Sequence, residues 1–226
     1  MSALAFSNIQ KSFSGTPVLR GVTCEIDFKG ITFIVGRSGS GKSVLCKLAV
    51  GLLHADAGAT TLFGHNVGLL SERAMIPLRR RAPYIVQGPA LLDWLTLEEN
   101  VALAGTTAAA ESALGRLGLL PFRARRPPEV GPGFKKRAAI ARALVLAPEY
   151  LMLDEPTTGL DREAAGQVND ALLSLRSEGL GALVVSHDYA ALEKMADRVL
   201  AVKDGVIGFD GTAREFLAWR EATARV

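Results

Sequence analysis

The chain has 226 residues, enough for one large domain with a substantial core, and its 49% hydrophobic and 22% charged residues are those of a globular protein. A net charge of +3 is too small to argue for a nucleic-acid partner. Two cysteines, Cys24 and Cys46, exclude a disulfide framework or a cysteine metal cluster, and no apolar run approaches the roughly 18 residues a membrane helix needs.

In chain order, Met1–Phe6 lacks the basic head and apolar centre of a signal peptide, so a soluble, cytoplasmic chain is expected. A β-rich piece follows to about residue 30, with Gly15-Thr16-Pro17 as its turn. Ile31–Val35, short, apolar and partly β-branched, reads as a buried strand. Behind Gly36 to Ser43, the residues Val44, Leu45, Leu48, Ala49 and Leu52 repeat at helical spacing. A glycine-rich stretch ends near Asn66. Helical character returns from about 88 to 140, where Thr96-Leu97-Glu98-Glu99 fits a capping box ahead of an alanine-rich run. Two more apolar strands, Tyr150–Leu153 and Ala182–Val185, end in Asp154-Glu155 and Ser186-His187-Asp188. Asp204-Gly205 between Val199–Val202 and Val206-Ile207 signals a hairpin, and Thr212 with Glu215 caps a last helix. The basic clusters Arg79-Arg80-Arg81, Arg123-Arg125-Arg126 and Lys135-Lys136-Arg137 read as a solvated face, the last of them opening a helix. There is no internal repeat, long linker or coiled coil.

Three of these segments carry chemistry. Gly36-Arg37-Ser38-Gly39-Ser40-Gly41-Lys42-Ser43 fits G-x-x-x-x-G-K-[ST] between a strand and a helix, the setting that aims backbone N–H groups and a helix dipole at a polyphosphate. Lys42 is expected to reach the β/γ-phosphates and Ser43 to hold Mg²⁺. Asp154, at the C-terminal tip of its strand, is expected to complete that metal site, and Glu155 to polarise a water for in-line attack. His187, at the tip of another strand, is placed to contact the γ-phosphate or steady the water. His54 and His65 have no such placement.

These residues, in this order, resemble the ATP-binding subunits of ABC transporters over nearly the whole chain. The resemblance implies an α/β fold, a P-loop NTPase (RecA-like) core with an antiparallel β subdomain and a helical subdomain. It divides one domain, 1–226, into a core of 1–87 and 141–226 and a helical part of 88–140. It implies ATP and Mg²⁺ as ligands, with Gly36 to Val44 around the phosphates. Phe13 looks like the aromatic on which adenine stacks. Gln87 looks like the Q-loop residue that senses Mg²⁺ and the attacking water, where the membrane partner docks. Asp154 to Asp161 joins the Walker B end to the D-loop, and His187 looks like the H-loop switch. Two such subunits sandwich two ATP molecules, each site completed by the partner's signature segment.

That segment departs from Leu-Ser-Gly-Gly-Gln. The positions hold Val130-Gly131-Pro132-Gly133-Phe134, with Gly131 where a serine hydroxyl should face phosphate and Pro132 without an N–H. Gly133 keeps its amide. The departure leaves two readings: a variant signature that works, or pairing with a second ATPase that supplies a better one. Gly36 to Leu45 with Lys47, Gln87-Gly88-Pro89-Ala90-Leu91, and Asp154 to Asp161 look most like ATPases of Mla- and Mce-type lipid transporters, which work with a permease and a lipid-binding MCE-domain protein. On that resemblance the chain sits on the cytoplasmic face of a bacterial inner membrane and moves phospholipids. Clamp-type and translation ATPases of the same family carry coiled coils or tandem domains, which this chain lacks, so no nucleic-acid partner is expected.

Overall fold

The computed structural model describes residues 3–223; Met1 and Ser2, on which part of the signal-peptide expectation falls, lie outside the described residues. In chain order the elements are β1 (Leu4–Phe13), β2 (Thr16–Ile26), β3 (Ile31–Val35), α1 (Lys42–Ala49), β4 (Ala57–Leu62), β5 (His65–Asn66), α2 (Glu72–Arg81) and β6 (Tyr84–Ile85). There follow α3 (Leu97–Ala102), α4 (Thr107–Arg116), α5 (Pro132–Leu144), β7 (Tyr150–Asp154), α6 (Arg162–Ser177), β8 (Gly181–Val185), α7 (Tyr189–Met195), β9 (Arg198–Lys203), β10 (Val206–Gly211) and α8 (Ala213–Thr223).

The strands form two sheets, one antiparallel in the order β2-β1-β4-β5 and one six-stranded in the order β10-β9-β3-β8-β7-β6. Neighbours from β9 to β6 run parallel, and only the β9–β10 hairpin at Asp204-Gly205 is antiparallel. The parallel strands are apolar at nearly every position because both faces are covered. Alternation sorts their side chains into two cores. Ile31, Phe33, Leu151, Leu153, Ala182 and Val184 face the helical side. Ile34, Tyr150, Met152, Leu183 and Val185 face α1 and the antiparallel sheet. At about 1.5–3 kcal/mol for each large apolar side chain buried, this double coverage is the main source of the fold's stability. Cys24 and Cys46 are buried thiols in the second core; burial pushes Cys24 up to about 12 and raises Cys46 as well, so both stay protonated.

Several expectations change. The stretch up to Asn66, read only as glycine-rich, contains β4 and β5, and β4 pairs with β1. The first turn is made at Ser14-Gly15, and Thr16 and Pro17 already belong to β2. Leu52 lies beyond the end of α1 and is exposed, so it continues the helical spacing without sharing the buried face. Lys135-Lys136-Arg137 does not open a helix: α5 starts at Pro132, and Lys136 and Arg137 are buried. The Thr96–Glu99 capping box forms as read, and Thr212 and Glu215 exchange the bonds that start α8.

Candidate active site

The parallel order brings the C-terminal ends of β3, β7 and β8 side by side, and the chemistry-bearing residues sit in the turns that leave them. Between β3 and α1 the chain needs glycine for steric reasons. Gly36 has φ 153 and a Cβ there would lie 2.4 Å from the Val202 carbonyl oxygen; Gly41 has φ 101 and its Cβ would lie 2.6 Å from Leu19 Cδ2. Lys42 is buried, and its ammonium donates to the carbonyls of Gly36 at 2.9 Å and Arg37 at 3.0 Å. Arg37, Ser38 and Gly39 are exposed at the turn, and Val44 is half-buried against the second core. Ser40 Oγ is buried without a hydrogen-bond partner among the described residues. An orphaned hydroxyl, a preformed turn and a lysine held at its centre all fit a phosphate chain.

The loop is tied directly to the tip of β7. Ser43 Oγ donates to Asp154 Oδ1 at 2.8 Å, and Tyr84 on β6 donates its hydroxyl to Asp154 Oδ2 at 2.6 Å. Asp154 is 5% exposed. Burial, and then the bond to Asp154, raise the Tyr84 pKa, so the phenol keeps the proton it donates. The next residue, Glu155, takes a left-handed backbone with φ 49, and its N–H donates to the Val185 carbonyl of β8 at 2.8 Å. Its Oε2 accepts from Thr158 Oγ1 at 2.9 Å and lies 2.8 Å from His187 Nδ1. Ser43, Asp154, Glu155 and His187 therefore form two adjoining pairs beside the phosphate loop.

The remaining expected residues lie apart from this network. Phe13 is 43% exposed, and the Lys11 ammonium stands 5.6 Å from its ring centre. Gln87 is exposed, and its hydrogen bond is made by its carbonyl, not its side chain. Asp161 caps α6, its Oδ1 accepting from the Ala164 N–H at 2.8 Å. Gly131 is the N-cap of α5 with no side-chain bond to give, Pro132 follows at the first helical position, and Gly133 packs so tightly on α6 that a Cβ would come 2.9 Å from Ala164 Cβ.

A cleft of about 730 Å³ opens beside the phosphate loop, walled by Gly36 to Ser40, by Thr16 to Val18 at the start of β2, and by Tyr189 and Trp219 from α7 and α8. Its size suits a nucleotide-sized molecule. Phe13, Lys42 and Ser43 do not line it.

Residues 19–158 match the family model for ABC transporters. The chain belongs to the ABC transporter family. It carries the family's ATP-binding domain. It is 37% identical over 221 residues to the macrolide export ATP-binding/permease protein MacB of Bradyrhizobium diazoefficiens, covering 92% of this chain and 34% of MacB. It is 34% identical over 235 residues to the methionine import ATP-binding protein MetN of Caulobacter vibrioides, covering 98% of this chain and 71% of MetN. The chain thus spans about a third of the first relative's length. Among solved structures, the dimeric, post-hydrolysis ATP-binding cassette MJ0796 bound to ADP and Pi superposes with a TM-score of 0.83 at 25% identity, covering 93% of this chain and 99% of that one.

In this ABC chain, no group of three or more His, Cys, Asp or Glu is arranged to hold a metal among the described residues. Mg²⁺ takes one or two protein ligands and fills its shell with water and substrate phosphate. Ser43 Oγ and Asp154 Oδ1, already 2.8 Å apart, are the donors that fit it. Among the described residues, no helix of the ABC chain is long and apolar enough to cross a membrane. Three participants escaped the sequence reading. Tyr84 drew no expectation from the sequence, although a half-buried phenol needs a partner for its hydroxyl. Thr158 lay inside a quoted motif without a role, and nothing in the sequence around Lys136 announces its burial.

Proposed function

We propose that this chain binds Mg²⁺-ATP at the phosphate loop, hydrolyses it, and powers an ABC transporter. What carries the reading is the pairing of Ser43 with Asp154 beside the pairing of Glu155 with His187, each at 2.8 Å. Adenine stacks on Phe13, and the phosphates lie along Gly36 to Val44, with the N–H groups of Gly39 to Ser43 and the Ser40 hydroxyl as donors. Lys42 leaves its two carbonyls for the β- and γ-phosphates. Ser43, Asp154 and Gln87 would hold Mg²⁺, which would supply charge neutralisation to the phosphate chain. Glu155 takes a proton from the attacking water as its oxygen bonds to the γ-phosphorus and the bond to the β-phosphate oxygen breaks, releasing ADP. His187 holds the carboxylate in line. Positioning and electrostatics do the chemistry in such transfers.

The hydrolytic reading is tested with Glu155→Gln. The variant is expected to keep nucleotide affinity and lose turnover by at least about a hundredfold, measured by phosphate release. Turnover at the wild-type rate would remove Glu155 from the role of base.

A second copy or a second ATPase faces the site with its own α5 start, and Asp161 lies at that seam. The 88–140 segment docks on a permease at the cytoplasmic face of the inner membrane. The transported molecule is the narrower part of the proposal: the segments around Gly36, Gln87 and Asp154 support a phospholipid system with an MCE-domain partner, whereas the two relatives compared are named for macrolide export and methionine import. Purification of the tagged chain from gently solubilised native membranes decides this. A permease with an MCE-domain protein supports lipid transport, and a different binding protein overturns it. One feature favours a heterodimer as the alternative assembly. Gly131 and Pro132 leave the start of α5 without a hydroxyl and without the first helical N–H.

A further inference from the structure

Lys136 stands on the second turn of α5 and is 8% exposed, and the chemistry above gives it no task. Its ammonium donates to two main-chain carbonyls, that of Gln87 and, at 3.2 Å, that of Glu155. No carboxylate pairs with it among the described residues, though the charges of Asp154 and Glu155 are close enough to be felt. Burial lowers its pKa, and those two carboxylates partly restore it. Desolvating an ammonium to serve two peptide carbonyls is a costly way to fasten a helix, and an apolar side chain of similar length would pack there without that cost.

What the charge accomplishes is seen in what it joins. Gln87 and Glu155 follow the C-terminal ends of the paired parallel strands β6 and β7, and each carries a side chain assigned to the metal or the water. Glu155 holds a left-handed backbone, disfavoured for any residue with a Cβ. Its N–H is fixed to Val185 and its carboxylate faces Thr158 and His187. The carbonyl, the remaining polar group of that residue, accepts from the Thr158 N–H at 3.3 Å within its own turn, and Lys136, at 3.2 Å, ties it to another element.

We propose that Lys136 is a positioning residue for ATP hydrolysis: its ammonium fastens the Gln87 and Glu155 peptides to the start of α5, so that the base, the loop and the signature helix are set as one unit. The inference rests on the hydrolytic reading above. Arg142, further along α5, donates to the carbonyls of Pro89 at 3.3 Å and Ala90 at 2.8 Å. It anchors the same loop but does not reach Glu155, so among the described residues Lys136 is the side chain that hydrogen-bonds to both loop and base.

The test compares Lys136→Met and Lys136→Arg in the full chain, by steady-state ATPase kinetics and by binding of a fluorescent ATP analogue. Lys136→Met is expected to lower kcat about tenfold or more while KM and analogue affinity stay within about twofold. Lys136→Arg, which keeps N–H donors for both carbonyls, is expected to retain at least about a third of wild-type kcat. An unchanged kcat in Lys136→Met overturns the proposal, as does an equal loss in the two variants. Loss of analogue binding in step with kcat also overturns it, because that marks general damage to the fold. A wild-type chain that hydrolyses no ATP is a different failure: it overturns the hydrolytic reading and the inference resting on it together.

Discussion

Asp154 has both carboxylate oxygens engaged, one by Ser43 and one by Tyr84. A metal can therefore enter on the Ser43 side while the Tyr84 hydroxyl keeps the carboxylate from turning. Tyr84→Phe removes that restraint and leaves the packing nearly unchanged. Its expected effect is a rise of about tenfold in the Mg²⁺ concentration that half-saturates ATPase activity, with maximal rate at saturating Mg²⁺ close to wild type. A titration that superposes on wild type would show Tyr84 to be strand packing only. At this scale the sequence was most legible where a residue's neighbours in the chain are also its neighbours in space. Gly36 to Ser43 form one turn and the helix start that follows it, and Asp154 and Glu155 sit together at one strand tip. It was least legible where partners are main-chain carbonyls far along the chain. Lys136 reads as one more basic residue in a basic run because nothing in Gln87 or Glu155 records that their carbonyls need a donor.

At the level of elements, α5 starts with Gly131, Pro132 and Gly133, and these residues ask different things of the structure. Gly133 is fixed by its approach to Ala164, whereas Gly131 has an ordinary extended backbone with room for a side chain. Gly131→Ser is therefore expected to fold normally, since serine and glycine at an N-cap differ by only a few tenths of a kcal/mol. In a homodimer the added hydroxyl gives the opposite γ-phosphate a charge-assisted donor worth about 1.5–3 kcal/mol, which predicts a faster maximal ATPase rate, by about tenfold. A rate unchanged beside an unchanged melting temperature would show that this α5 start does not face phosphate. Elements were legible where periodicity and caps agree, as in the buried strands and at Thr96. They were illegible where pairing rather than composition makes the structure. β4 alternates weakly and is a strand because β1 supplies a ladder, and β5 is two residues long. Leu52 shows the converse, since it keeps the helical spacing after the chain has turned away.

Across the molecule, the sequence disclosed the class of fold because its strand tips, glycine turn and helix starts come in a recognisable order. It did not disclose the cleft, whose walls from β2, α7 and α8 are remote in sequence and meet only when the sheet closes. The proposed mechanism needs a second set of motifs facing the first, and this yields a prediction about mass. Glu155→Gln with Mg²⁺-ATP is expected to run as a dimer by light scattering, and to return to monomer when ATP is replaced by ADP. A variant that stays monomeric at saturating ATP would instead favour assembly with a different ATPase subunit.

The strand order also sets a timetable for synthesis. The antiparallel sheet is built from neighbours in sequence and can close early, β1 against β2 and then β4. β3 differs: Ile31 pairs with Ala182 and Thr32 with Arg198, so both of its edges wait for strands made about 150 residues later. At roughly 5–20 residues per second, five fully buried positions, four of them apolar, emerge from the ribosome roughly 7–30 s before either partner exists. The strand that launches the phosphate loop is thus the segment a nascent chain must shelter longest, and the one through which a stalled or truncated chain would aggregate.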